Sequence, residues 1–167
     1  MDRRTTNRAI VKEIVIRAPI RQVWQAWTTE PGLESFFARR ARIELQVDGR
    51  YELLFMPDNP PGQRGEEGAR LLAIEECQRL AFTWTAPPRW PRIRAMRTVV
   101  DLTFSVTGDD ATALRLRHSL WGDGPDWDEV YAYFDGAWDI VLKRLDYRFD
   151  QGPVDWDNLA DQYRSGG

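Results

Sequence analysis

The 167-residue chain has one cysteine and one histidine. Cys77 alone forbids an internal disulfide, and His118 alone forbids a histidine-rich metal site, so neither metal nor other cofactor is expected. Long apolar runs are missing, which excludes a membrane-crossing helix. Also missing is a signal-peptide pattern of basic start, apolar stretch and small-residue cleavage site, so a cytoplasmic location is expected. The net charge of −3 leaves no basic surplus for a phosphate backbone, and nucleic acid is not an expected partner. Lysine is scarce: Lys12 and Lys143 stand against a background of arginine. No Ser/His/Asp order, G-x-S-x-G elbow, P-loop, G-x-G-x-x-G run or internal repeat occurs. The carboxylate pairs Glu66-Glu67, Glu75-Glu76 and Asp109-Asp110 fall in turns or loops and read as solvation.

Aromatics are abundant instead, with eight tryptophans, seven phenylalanines and five tyrosines. Rings in such number fill a large core or line a ligand cavity, and composition does not separate the two. The length suits one domain that buries roughly 70% of its unfolded surface. Residues 1–9 read as an extension, 10–150 as the domain and 151–167 as a tail. In that tail Trp156, Leu159 and Tyr163 have the spacing of a short docked helix.

Periodicity gives the order of elements. Residues 10–16 are β-branched and alternating, a strand stopped by Ala18-Pro19. Ile20, Val23, Trp24 and Trp27 step helically, and residues 31–37 form a second short helix. Residues 42–47 and 50–56 flank Asp48-Gly49, a strong hairpin signal. Residues 57–67 read as a polar loop, 69–75 and 80–85 as a strand pair, and 86–91 as a proline-rich loop carrying Trp90. From Met96 to Val106 and from Leu114 to Leu120 apolar residues alternate, so each strand has one buried face. On this alternation Arg97, Arg115 and Arg117 point to solvent, with Asp101 placed to pair with Arg97. A helix of residues 126–150, about 35 Å long, follows, opening on a capping box of Asp126 and Glu129. Gly136 within it suggests a close approach by another group.

Four sequence words carry a resemblance. Ala18-Pro19 with Val23-Trp24-Gln25-Ala26-Trp27, Leu80-Ala81-Phe82-Thr83-Trp84, Leu114-Arg115-Leu116-Arg117-His118-Ser119 and Gly136-Ala137-Trp138 with Leu142 and Leu145 are the four. In this order they resemble the activator-of-Hsp90-ATPase-homologue (AHSA1-like) family of the START-like (SRPBCC) superfamily. In the last word Ala137 stands between the glycine and the tryptophan, a departure from the family pattern. The resemblance implies an α+β helix-grip fold, with about six or seven antiparallel strands curved around a long C-terminal helix. Two short helices follow the first strand. It also implies a cavity between sheet and helix for a lipid-, polyketide- or hormone-like ligand. Only nine residues precede the first strand, so the separate N-terminal activating domain of the eukaryotic co-chaperone is not expected here.

The expected function is binding of a small hydrophobic or amphipathic molecule. Candidate ligand-binding residues are Trp24, Trp27, Phe37, Phe55, Trp84, Thr98, Val100, His118, Leu120, Tyr131, Phe134 and Trp138. The loops at 57–67 and 86–94, with the two short helices, are expected to gate the mouth. His118 alternates with Leu114, Leu116 and Leu120 and should point inward, as a polar contact, a core histidine or an acid–base group. Two other readings stay open: a cyclase- or hydrolase-type enzyme using His118, and a chaperone-interaction module. A homodimer is a further partner left open.

Overall fold

A β-branched, alternating start and a helix apolar on one long side dictate a sheet that must be covered by that helix. The computed structural model, which describes residues 5–159, has this arrangement. Its elements in chain order are β1 Ile10–Ile16, α1 Ile20–Thr28, α2 Glu30–Glu34, β2 Arg40–Ile43, β3 Tyr51–Leu54 and β4 Gly65–Glu66. These are followed by β5 Leu71–Glu75, β6 Arg79–Trp84, α3 Pro91–Arg94, β7 Thr98–Gly108, β8 Ala111–Ser119 and α4 Pro125–Asp150. The eight strands of the described residues are thus slightly more than the sequence suggests, because β4 lies inside the stretch read as a polar loop.

The main sheet runs β1-β8-β7-β6-β5 and a smaller one runs β2-β3-β4, every pairing antiparallel. Backbone bonds from Tyr51 to Ala69 and from Leu71 to Gly49, both 2.9 Å, join the two sheets into one curved surface. The turn expected at Asp48-Gly49 is a wider loop, because Asp48 and Gly49 turn aside to pair with Leu71. Asp48 N–H bonds Leu71 O at 2.8 Å, and Asp48 takes a left-handed φ of 66°.

Alternation sets the core. Val100, Leu102 and Phe104 of β7 lie opposite His118, Leu116 and Leu114 of β8, and all six are buried. Against this face α4 lays Val130, Phe134, Trp138, Val141 and Leu145, which recur every three to four residues. With 26 residues it spans roughly 39 Å. Its start differs from the expected capping box: Gly124 is the N-cap, at φ 123°, and Pro125 occupies the first turn. Asp126 and Glu129 instead hold the α3 segment, through Arg92 at 3.1 Å and Trp90 Nε1 at 3.0 Å. Gly136 has open space around it, so no close approach explains it.

Alternation fails at Leu120. β8 stops at Ser119, Leu120 enters the left-handed region at φ 68° and its side chain is exposed. The inward place goes to Trp121, fully buried, whose Nε1 donates to His118 O at 2.8 Å. Arg97 and Asp101 are not partners either. Asp101 accepts a two-pronged contact from Arg79, as close as 2.7 Å, while Arg97 reaches Glu66 at 3.3 Å. Arg115 and Arg117 are exposed as expected.

Beyond α4 the tail folds back on α2. Val154 N–H bonds Ser35 O at 2.8 Å, Trp156 Nε1 bonds Glu34 O at 2.8 Å, and Arg39 holds Asp157 at 2.9 Å. Residues 154–158 dock without helix, Leu159 is helical, and the rest of the expected short helix, Tyr163 included, lies outside the described residues. Among the described residues no helix is long and apolar enough to cross a membrane.

Candidate functional site

Sheet and helix do not close completely. Between β4, the end of β6 and the middle of α4 lies a cavity of about 410 Å³, within the range of small-molecule sites. Phe37, Trp84, Phe134 and Trp138 form its aromatic wall, with Phe55 at the exposed margin. Tyr133, Ala137, Ile140 and Arg144 form the helix side, a stripe at i, i+4, i+7 and i+11 beside the buried one. The mouth is made by Met56, residues 63–66 and residues 85–88, so both expected loops flank it. A larger depression of about 1040 Å³ lies on the far side of Phe55 and Met56, lined largely by charged residues of both signs such as Arg39, Glu34 and Asp157. Its walls lack the apolar lining of a small-molecule site.

Of the twelve residues singled out by sequence, the cavity brings together five: Phe37, Phe55, Trp84, Phe134 and Trp138. Trp24, Trp27, Thr98, Val100, His118 and Tyr131 lie outside its lining, as does the outward-turned Leu120. The reason is close packing. Trp24 meets Phe104 edge-on at 5.2 Å, and Trp27 meets Phe36 and Phe37 at 5.0 and 5.6 Å, so α1 leaves no void beneath it. Tyr131 is drawn to the N-terminal segment, where its hydroxyl bonds Ala9 O at 3.1 Å and Arg8 lies over its ring. Trp90 does not line the cavity; it meets Tyr133, which does, edge-on at 5.7 Å, beneath the guanidinium of Arg89.

His118 sits one layer behind the wall, fully buried. Trp138 Nε1, which can only donate, lies 3.0 Å from its Nδ1. Nδ1 therefore accepts, and the proton of the neutral ring is on Nε2, which donates to Thr98 Oγ1 at 2.7 Å. Thr98 passes the chain on to Trp84 O at 3.3 Å. This relay ties α4, β8, β7 and β6 together, and each bond polarises the next. Burial pushes the imidazole pKa down to about 3, so the ring is neutral at ordinary pH. Both nitrogens are committed, which leaves neither free to exchange a proton with a guest.

Glu66 is a residue the sequence reading missed. Nothing in the run Arg64-Gly65-Glu66-Glu67 marks one carboxyl as buried, yet Glu66 is 2% exposed and lines the cavity. It turns inward because β4 pairs it with Leu53. Gly65 permits this course: at φ 141° any side chain there would strike Leu53 O and the Phe55 ring. Burial pushes the Glu66 carboxyl well above the usual carboxylate range, against the weaker opposing pull of Arg97 and Arg94. Next to it, burial would also raise Glu67, but the N–H groups of Gly62 and Arg64, at 2.8 and 2.7 Å, hold it low. Arg94 pins the loop from the other side, bonding Ala86 O at 2.6 Å and Gly65 O at 2.8 Å. Among the described residues no cluster of three or more His, Cys, Asp or Glu is placed to hold a metal ion.

Comparison with known proteins agrees with this architecture. No curated protein matches the chain. Among solved structures, MLL2253 from Mesorhizobium loti is similar at TM-score 0.69 and 24% identity, over 88% of this chain and 100% of its own. CalU16 from Micromonospora echinospora matches at TM-score 0.64 and 22% identity, over 98% of this chain and 89% of its own. The Aha1 dimer from Colwellia psychrerythraea matches at TM-score 0.66 and 18% identity, over 87% and 98%. These likenesses establish the helix-grip fold. The family described as activator of Hsp90 ATPase homolog 1-like protein matches residues 17–150, and the chain belongs to that family.

Proposed function

We propose that the protein binds a small, mostly apolar molecule in the cavity between the curved sheet and α4. The carrying observation is the cavity itself: about 410 Å³ walled by Phe37, Trp84, Phe134 and Trp138, with a few polar groups such as Glu66 and Thr85 among them. Apolar walls with sparse polar handles favour a guest that loses its hydration on entering. At ~30 Å³ per water, that volume corresponds to on the order of fourteen waters, enough for a two- or three-ring molecule. A catalytic role for His118 finds no support in a ring whose two nitrogens are already bonded.

Native mass spectrometry of protein purified from its own source, with an organic extract of the same sample, tests the reading. A stoichiometric added mass lost on denaturation supports it. Filling the cavity gives a second test. Ala137 is half-buried on the lining face of α4, so Ala137→Trp projects an indole into the space while leaving the main buried stripe intact. Binding of the neutral fluorescent probe N-phenyl-1-naphthylamine should weaken at least about tenfold, with thermal stability nearly unchanged. Equal probe affinity in both proteins would place the bound molecule elsewhere.

The dimeric Aha1 relative favours a second reading, a contact with another copy of the chain or with a chaperone. Light scattering across a concentration series tests the first, and stimulation of a bacterial Hsp90 ATPase tests the other.

A further inference from the structure

The cavity wall contains two indoles whose polar edges are treated differently. Trp84 and Trp138 face each other at 5.4 Å between ring centroids, tilted by 42°. The N–H of Trp138 is committed to His118. The N–H of Trp84 is buried and has no hydrogen-bond partner, although Trp84 is only 3% exposed. A buried donor without an acceptor is a cost that folded proteins seldom carry. Trp27 Nε1 is also unpartnered, but Trp27 does not border the cavity, whereas Trp84 does.

We propose that the cavity selects planar aromatic molecules carrying a neutral carbonyl oxygen, which accepts the unmade hydrogen bond of Trp84 Nε1–H. The proposal rests on the ligand-binding reading above and adds the chemistry of the guest. Planarity follows from the walls, since Phe37, Trp84 and Trp138 offer ring faces and edges at 5.4 to 5.8 Å from one another. A neutral oxygen rather than a carboxylate follows from the other polar groups. Of the cavity's guanidinium groups, Arg94 is bonded to the carbonyls of Ala86, Gly62 and Gly65, Arg64 Nε to that of Asn59, and Arg144 lies over the Trp156 ring at 5.3 Å, so each already serves the protein. Glu66 lies on the same lining, and an anionic guest would meet repulsion from it whenever it is ionised. A neutral carbonyl is compatible with that carboxyl in either state. Trp84 Nε1 is closed to solvent, so the indole tilts toward the guest to gain a partner that bulk water does not supply.

Two probes of the same size separate shape from acceptor: 2-acetonaphthone and 2-isopropylnaphthalene, in which a carbonyl is replaced by a CH–CH₃ unit. In the wild-type protein the ketone should bind about tenfold more tightly than the hydrocarbon, the scale of one buried hydrogen bond gained. In Trp84→Phe, which keeps an aromatic ring and removes the donor, the two should bind equally. The indole N–H resonance of Trp84 in the ¹⁵N-labelled wild type should move downfield with the ketone and not with the hydrocarbon. This readout decides the matter even if the variant folds poorly. Equal affinity for both probes in the wild type, with an unmoved resonance, overturns the acceptor rule while leaving a binding cavity. Failure of both probes to bind overturns the acceptor rule and the ligand-binding reading together.

Discussion

Phe37→Ala should cost the protein about 3–5 kcal/mol of folding stability, measured by denaturant unfolding. Phe37 is 1% exposed and lies among five other aromatic rings. Trp27 and Trp138 meet it edge-on at 5.6 and 5.8 Å, while Phe36, Phe55 and Trp84 lie tilted against it at 5.6 to 6.0 Å. Truncation removes the apolar transfer of the ring and these oriented contacts, worth roughly 0.5–1.5 kcal/mol per favourable pair. The hole it leaves opens toward the ligand cavity, so neighbouring chains cannot collapse to refill it. Phe55 supplies the contrast. It lines the same cavity but is 38% exposed, and Phe55→Ala should cost about 1 kcal/mol or less. A loss below about 1 kcal/mol for Phe37→Ala would show that the cluster is loosely packed and that the wall is not built around this ring.

Elements with a strong period were readable from sequence. The alternation of Val100, Leu102 and Phe104, and the three-to-four stepping of Trp127 to Leu145, follow from geometry that every sheet and helix shares. What escaped has a local cause each time. Leu120 continues the alternation on paper, but the chain needs a left-handed residue there to swing Trp121 under His118. Asp126 and Glu129 have capping-box spacing, yet Gly124-Pro125 already starts the helix and frees both carboxylates for α3. Glu66 sits in a polar run that periodicity cannot parse, and its inward turn depends on pairing with Leu53 thirteen residues earlier.

The candidate site was half legible for a similar reason. Aromatic residues at inward positions are visible in sequence, but whether they meet one another or a void is decided by packing. α1 presents Trp24 and Trp27 to rings that close on them. On α4 the wall is shared between the buried stripe and a second stripe of Tyr133, Ala137 and Ile140, of which the three-to-four stepping takes in Ala137 alone. Small Ala137 between large neighbours is the signal that was available. The relay from Trp138 through His118 to Thr98 explains why this wall stays open. It fixes Trp138 by its polar edge, so the indole is held at the cavity margin rather than free to rotate into it.

That relay gives the protein a measurable acid response. Its histidine has a folded pKa of about 3 against an ordinary value of 6.5, so on acidification the unfolded chain takes up the proton first. The stabilising contribution of the neutral ring is complete above pH 6.5 and declines as the pH falls from there toward 3. Relative to a His118→Gln variant, the wild type should lose about 1.4 kcal/mol per pH unit in that window, or roughly 2 kcal/mol between pH 8 and pH 5. The difference between the proteins is the quantity to measure, because Glu66 acts in the opposite sense. Its raised pKa means that the folded state binds the proton first, so Glu66 favours folding on acidification and masks part of the histidine slope. Glu66 is common to wild type and His118→Gln and cancels; a Glu66→Gln variant should steepen the acid loss. The side chains bonded to or stacked on His118 are Thr98, Trp121, Phe134 and Trp138, none of them charged, so no neighbouring titration confuses the comparison. Parallel stability curves for wild type and His118→Gln from pH 8 to pH 4.5 would mean that the imidazole protonates inside the folded protein. The relay assigned from the donor-only indole of Trp138 would then be wrong.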